Sequence, residues 1–305
     1  MIRGSRRDTS IGRGGSRNGL PAEDEVEVGT DPDALIPLTQ PHDGMDDGPR
    51  AADAVVPGGA SRVRGRPPSP NGASSFHLWW EVPEVPLASV SAILQVLVPP
   101  RVSRLAFFAV QASFWSPGSH EGGAHAGLQW NPRHPRSRAA NWGGYDHRGS
   151  ILEGTVSSLP STPDDPNTRD FGWVTGARYR LTIGPRVPGS RNPGRWPARI
   201  EGLDTGEDVE VRQLLCEGDH LRAPVVWSEL FARCDDPSAR VRWSSPQAVT
   251  SEGSVVEVER ARVTYQAYAD GGCTNTTVET GPDGIVQRSG CERLVPHDAV
   301  VSWRA

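Results

Sequence analysis

From Phe76 onward, apolar and polar residues alternate with a period of two. Val90, Ala92, Leu94, Val96 and Val98 share one parity against Ser89, Ser91, Ile93, Gln95 and Leu97. Tyr179, Leu181 and Ile183 alternate with Arg178, Arg180 and Thr182, and Trp196, Ala198 and Ile200 with Arg195, Arg199 and Glu201. Ala261, Val263, Tyr265 and Ala267 alternate with Arg260, Arg262, Thr264 and Gln266. Such runs predict half-buried antiparallel strands. Val256 and Val258 fall on the opposite parity, which predicts a bulge near Glu259. Val225, Trp227 and Phe231 share a parity, so 225–234 reads as a strand rather than a short helix. Turn-forming clusters at 116–118, 131–135, 161–167, 185–194 and 203–208 separate these segments, and no stretch has convincing helical periodicity. The expectation is an all-β protein, a two-sheet antiparallel sandwich spanning 76–268.

The first 75 residues differ. They contain no Phe, Trp or Tyr, and 21 of the 75 are Gly or Pro, which predicts a disordered low-complexity tail. Charge is segregated there: five arginines in 1–20, nine acids in 21–50, three arginines in 61–66. The acidic block could be an anionic docking segment. Every one of the 32 basic residues is arginine, a bias expected of GC-rich bacterial coding. The net charge of −5 argues against a nucleic-acid partner or an anionic membrane surface. No apolar run reaches the length of a membrane span. Arg3, Arg6 and Arg7 are not followed by a secretory apolar segment, which suggests a cytoplasmic protein unless the start site lies elsewhere.

Cys216 and Cys234 are 18 apart, as are Cys273 and Cys291. The second pair brackets a hairpin with Gly281–Gly284 as its turn, so 269–305 is expected to form a Cys-bracketed hairpin packed on the sandwich. Cys273–Cys291 and Cys216–Cys234 are the expected bridges, with four reduced buried cysteines as the alternative. No zinc-type spacing occurs, and neither a metal nor a cofactor is expected.

Phosphate-binding, dinucleotide-binding, zinc-peptidase and serine-hydrolase motifs are all missing. Acids that could serve a hydrolase are Glu257 and Glu259, spaced to share a strand face, or Glu229. The segment 122–147 stands out because Trp130, Trp142 and Tyr145 are interleaved with His125, Gln129, Asn131, Asn141 and Asp146. Flat rings beside amides and a carboxylate suit a pyranose: the ring covers its C–H face while the polar groups bond its hydroxyls. These eight residues are the candidate ligand site, with Trp79, Trp196, Trp227, Trp243 and Trp303 assigned to the core.

The order Trp79-Trp-Glu-Val82, the 90–98 strand, Phe107–Phe114, Gly127-Leu-Gln129, Asn141–Asp146, Tyr179–Ile183 and Val226–Glu229 resembles an uncharacterised bacterial family with a concanavalin A-like jelly-roll sandwich. The closing strand 256–268 is similar to the last strand of that fold in lectins and glucanases. The resemblance covers about 80–295 and implies two curved sheets with any ligand on the concave face or loop rim. The glucanase Glu-x-Asp-x-x-Glu pattern is absent, so hydrolase activity is not implied. The function expected from sequence is a non-catalytic, lectin-like carbohydrate-binding protein with a glycan as partner. The alternatives are a glycan-active hydrolase or lyase, and a protein-interaction domain.

Overall fold

In the computed structural model, alternation becomes burial. On β7 (Arg178–Ile183), β8 (Arg195–Gly202) and β13 (Arg260–Tyr265), every residue of the apolar parity named above is buried. The structure describes residues 72–303 apart from 162–164, 188, 191–192 and 268–271. The expected tail lies outside this range except for its last four residues, and Tyr268 also lies outside it. Among the described residues no helix is long and apolar enough to cross a membrane.

Sixteen strands are present among the described residues, and every pairing between them is antiparallel. One run of neighbours places β1 (Ser74–Trp80) between β13 and β10 (His220–Leu230), and continues through β3 (Ala106–Ser116), β4 (Ser119–Trp130), β5 (Arg138–Asp146) and β6 (Thr168–Asp170). β16 (Val300–Ser302) borders β13. The other run is β14 (Thr276–Gly281), β15 (Gly284–Ser289), β11 (Arg240–Thr250), β2 (Leu87–Val98), β7, β8 and β9 (Asp208–Leu215), with β12 (Val255–Glu257) on β11. The two runs meet at one residue pair, Leu221 with Leu87.

The main core draws on both runs. Trp142, Trp173, Trp196, Trp243, Tyr179, Phe76, Phe108 and Phe114 are all fully buried within it. Each such side chain contributes about 1.5–3 kcal/mol by leaving water. Indole N–H groups inside the core find carbonyls: Trp142 Nε1 donates to Trp196 O at 3.1 Å, and Trp173 Nε1 to Gln129 O at 3.0 Å.

Two local expectations are corrected. No bulge interrupts a single strand at Glu259. The chain instead leaves β11's side as β12 and re-enters beside β1 as β13, so the parity change marks a crossing between runs. The disulfide is Cys234–Cys273, with Cα atoms 5.5 Å apart, and Cys216 and Cys291 stand as thiols. The pairing of β14 with β15 ends at Thr276 opposite Ser289, short of both Cys273 and Cys291, and Cys273 is bonded to Cys234 instead. Nor does Cys216–Cys234 form: Cys216 is buried beside the Glu121 carbonyl, at 4.0 Å. β14 and β15 pair up to Gly281 opposite Gly284, and β15 is also hydrogen-bonded to β11.

Two measurements test this packing. Trp142→Ala is expected to destabilise the protein by about 3–5 kcal/mol in urea denaturation, the cost of emptying a close-packed core position. Peptide mapping without reduction should recover 234 linked to 273, and by the chain-entropy model cutting that 39-residue link lowers stability by up to about 4 kcal/mol.

Candidate functional site

The run β1–β10–β3–β4–β5 has two faces, and period two assigns them strictly. One faces the main core. The other carries a second, smaller apolar cluster of Phe107, Ala109, Val225 and Trp227, with Trp79 packed against it. Registered pairs make rows across this face. The first row is Ser75, Glu229, Phe107, Gln129, Ala139 and Asp170. The second is His77, Trp227, Ala109, Gly127, Asn141 and Thr168, and the third is Trp79, Val225, Gln111, His125 and Gly143.

The rows explain why small residues occupy the centre. A Cβ on Gly127 would sit 2.7 Å from the Phe107 ring and 2.1 Å from the Phe108 carbonyl, so glycine is what lets that ring lie across the sheet. Phe107, Trp227 and His125 then meet edge to face, with centroids 5.0–5.6 Å apart. Burial pushes the His125 imidazole down to about 3, so it packs as a neutral ring.

Glu229 is the exception on this apolar surface. It is 7% exposed, and its Oε2 is buried with no hydrogen-bond partner among the described residues. Burial alone pushes its carboxyl up to about 8, so it keeps its proton at neutral pH. A buried acid without a partner costs stability and therefore calls for an explanation in chemistry.

Two strands away in the same row, about 10 Å between Cα atoms at ordinary strand spacing, lies Gln129. Its orientation is set by a chain of bonds that begins at an unambiguous donor. The Arg133 backbone N–H donates to Asn131 Oδ1 at 3.1 Å, so the other Asn131 atom is the amide nitrogen, and it donates to Gln129 Oε1 at 2.9 Å. The Gln129 Nε2 group is therefore the donor left over. Gln111 is held similarly, accepting from Trp227 Nε1 at 2.9 Å.

The eight residues of the expected ligand site are divided by the same parity rule. His125, Gln129, Asn141 and Tyr145 belong to the Glu229 face, whereas Trp130 and Trp142 belong to the core parity. Trp142 is wholly buried, and Trp130 packs against the core with its Nε1 donating to Val102 O at 2.7 Å. Asn141 Nδ2 donates to Thr168 Oγ1, and its Oδ1 is buried without a partner among the described residues. Asp146 sits in a turn where the Ser150 and Arg148 backbone N–H groups bond its carboxylate and lower its pKa. Trp130 and Trp142 thus lie away from the face that carries the amides, and of the three rings Tyr145 alone shares it.

Of the acids named from sequence, Glu257 and Glu259 are exposed and Glu229 alone is buried. The sequence pattern did not single out Phe107, Gln111 and Trp227 as site residues. The available signal was an acid at 229 on the same parity as Val225 and Trp227.

No protein-family model matches the chain, and no curated protein matches it in sequence. Solved structures similar to it include scytalido-glutamic peptidase with a peptide-based transition-state analogue, at 12% identity, covering 71% of this chain and 97% of that one, TM-score 0.38. Another is SCP-B, a member of the eqolisin family of peptidases, in complex with the tripeptide Ala-Ile-His, at 10% identity, 71% and 96% coverage, TM-score 0.37. At such scores the likeness decides neither fold nor activity. The expected lectin-like function is nevertheless corrected. The stacking surface it required is split between two faces of a sheet, with Trp130 and Trp142 on the core side and the amides on the other.

The Glu229 carboxyl makes stability depend on pH with a definite sign. Its folded pKa lies above the unfolded value of 4.5, so stability is fully present below pH 4.5 and is lost as pH rises toward about 8. Glu229→Gln should therefore match the wild type in unfolding free energy near pH 4 and exceed it increasingly up to pH 8, by roughly 3–5 kcal/mol at the plateau, in urea denaturation at each pH.

Proposed function

We propose that the protein is a hydrolase that cleaves an acyl bond, with Glu229 as proton donor and the Gln129 amide as the group that polarises the carbonyl. The observation that carries this reading is the buried Glu229 carboxyl, protonated at neutral pH on a face that also presents an oriented amide donor. Glycoside hydrolysis needs two carboxyl groups about 5–10 Å apart. The other acid of this row, Asp170, is four strands from Glu229, about 19 Å at ordinary strand spacing, and is bonded to His134. One acid with one amide instead suits addition of water to a carbonyl, where a fixed N–H donor stabilises the developing oxyanion.

In the reaction, water adds to the carbonyl carbon while Glu229 gives its proton to the departing group. The carbon–heteroatom bond breaks, and the proton released by the water restores the carboxyl. Peptides are the first substrates to test, being the class named for the similar structures. The two pairing runs are read as the two leaves of a jelly-roll sandwich, with the Glu229 face as its outer, ligand-bearing surface.

Cleavage of a fluorogenic peptide library across pH 4–9 tests the proposal. Activity should hold to neutral pH and fall above about pH 8 as Glu229 ionises. Glu229→Gln should lower kcat by about 10²–10⁴, and Gln129→Leu by about 10²–10³. Full activity in a folded Glu229→Gln variant, or no cleavage of any peptide across this range, would overturn it.

A further inference from the structure

Two arginine-bearing loops lie at the strand ends beside the Glu229–Gln129 row. The link between β2 and β3 carries Arg101 and Arg104, and the link between β4 and β5 carries Arg133 and Arg136. All four are exposed, and none makes an ion pair with a described residue. The loops are tied together, because Trp130, the last residue of β4, donates its Nε1 to the Val102 carbonyl.

The loops border the site directly. Arg104 lies three residues before Phe107, the cross-strand partner of Glu229, and Arg133 lies four residues after Gln129. The second loop is also rigid. Asn131 N donates to Ser137 O, His134 N to Asn131 O and Ser137 N to His134 O, while the His134 ring is bonded to Asp170 at 2.7 Å. Arg101, Arg136 and Ser137 hold positive φ angles of 52°, 58° and 56°, a conformation that costs free energy for residues other than glycine. Strained backbone thus displays cations that no carboxylate of the described structure neutralises, in a chain whose net charge is −5.

We infer that this rim selects acidic peptides, binding Asp or Glu side chains of a substrate whose scissile bond lies over the Glu229–Gln129 row. The inference rests on the hydrolase reading for the identity of the site, but the binding it requires can be measured without turnover. Guanidinium groups hold carboxylates by paired charge-assisted bonds, and four such groups along one side of the row set the direction in which an acidic segment lies. Asn131 links the two functions, since it roots the arginine loop and also orients the Gln129 amide.

The test uses the full chain carrying Glu229→Gln, which binds without cleaving, and fluorescence anisotropy of labelled peptides. A Glu-rich peptide should bind about tenfold or more tightly than its Gln-rich counterpart at low salt, and the difference should shrink at about 0.5 M salt. It should also vanish below about pH 4, where the peptide carboxylates take up protons. Joint replacement of Arg101, Arg104, Arg133 and Arg136 by Gln should bring the two peptides to within about twofold. Arg133→Glu alone, on an exposed side chain, gives a second variant whose folding is not at risk and should weaken the Glu-rich peptide selectively. Equal binding of both peptides, or an acidic preference that survives the four replacements, overturns the inference. So does tighter binding of a single-stranded oligonucleotide than of the Glu-rich peptide. Retained acidic preference with no cleavage by the wild type would instead count against the hydrolase reading alone.

Discussion

The structure depends on the two-residue period of a β-strand. Along β4 and β5 that period sends Ala124, Ala126, Leu128, Ala140 and Trp142 into the main core, and His125, Gln129 and Asn141 to the opposite face. Because the strands are registered, this sorting repeats across five neighbours and produces one continuous surface from separate stretches of chain. Glu229 and Gln129 are one hundred residues apart in sequence and belong to one row only because β10, β3 and β4 are neighbours in this register. A slip of one residue in β10 would carry Glu229 into the tryptophan core and leave the face without an acid.

The same packing determines the chemistry of the acid. Among the described residues no cation acts on Glu229, and burial is the whole cause of its raised pKa. Phe107 and Trp227 are therefore part of the acid's function as well as of the fold: they withhold water from the carboxyl and keep its proton on. The cost is an unpartnered Oε2, and it is borne by a sheet whose other face buries several large aromatic side chains. A fold with so large a core can carry one unsatisfied group where a small domain could not.

Much of this was legible in the sequence. Alternation located the strands, and β7, β8 and β13 bury the parity that their residues indicated. What alternation does not contain is which strand neighbours which. For that reason the change of parity at 258–260 reads equally well as a bulge or as a crossing, and the cysteines pair as 234–273 across a sequence gap of 39 rather than within a hairpin. The 122–147 segment misled for a related reason. Proximity in sequence suggested one surface, whereas consecutive residues of a strand lie on opposite faces, so Trp142 is in the core and Asn141 is not. Parity applied along that segment is enough to separate its two core-side tryptophan positions from its amides.

Parity also raises Glu229 from one acid among several to the first candidate. It follows Val225 and Trp227 at intervals of two, in a strand that is otherwise apolar on that face. An acid at such a position must either find a partner or keep its proton, since an ionised carboxylate without compensation is too costly to bury. The sequence cannot show which outcome applies, because the partner would come from a strand that is distant in the chain. The registered neighbours Ser75 and Phe107 supply no positive charge, and the proton is retained. The functional reading therefore follows from a local pattern only after long-range pairing has removed the alternative, and the same holds for Gln129, whose orientation is defined by Asn131 and a backbone N–H beyond the end of the strand.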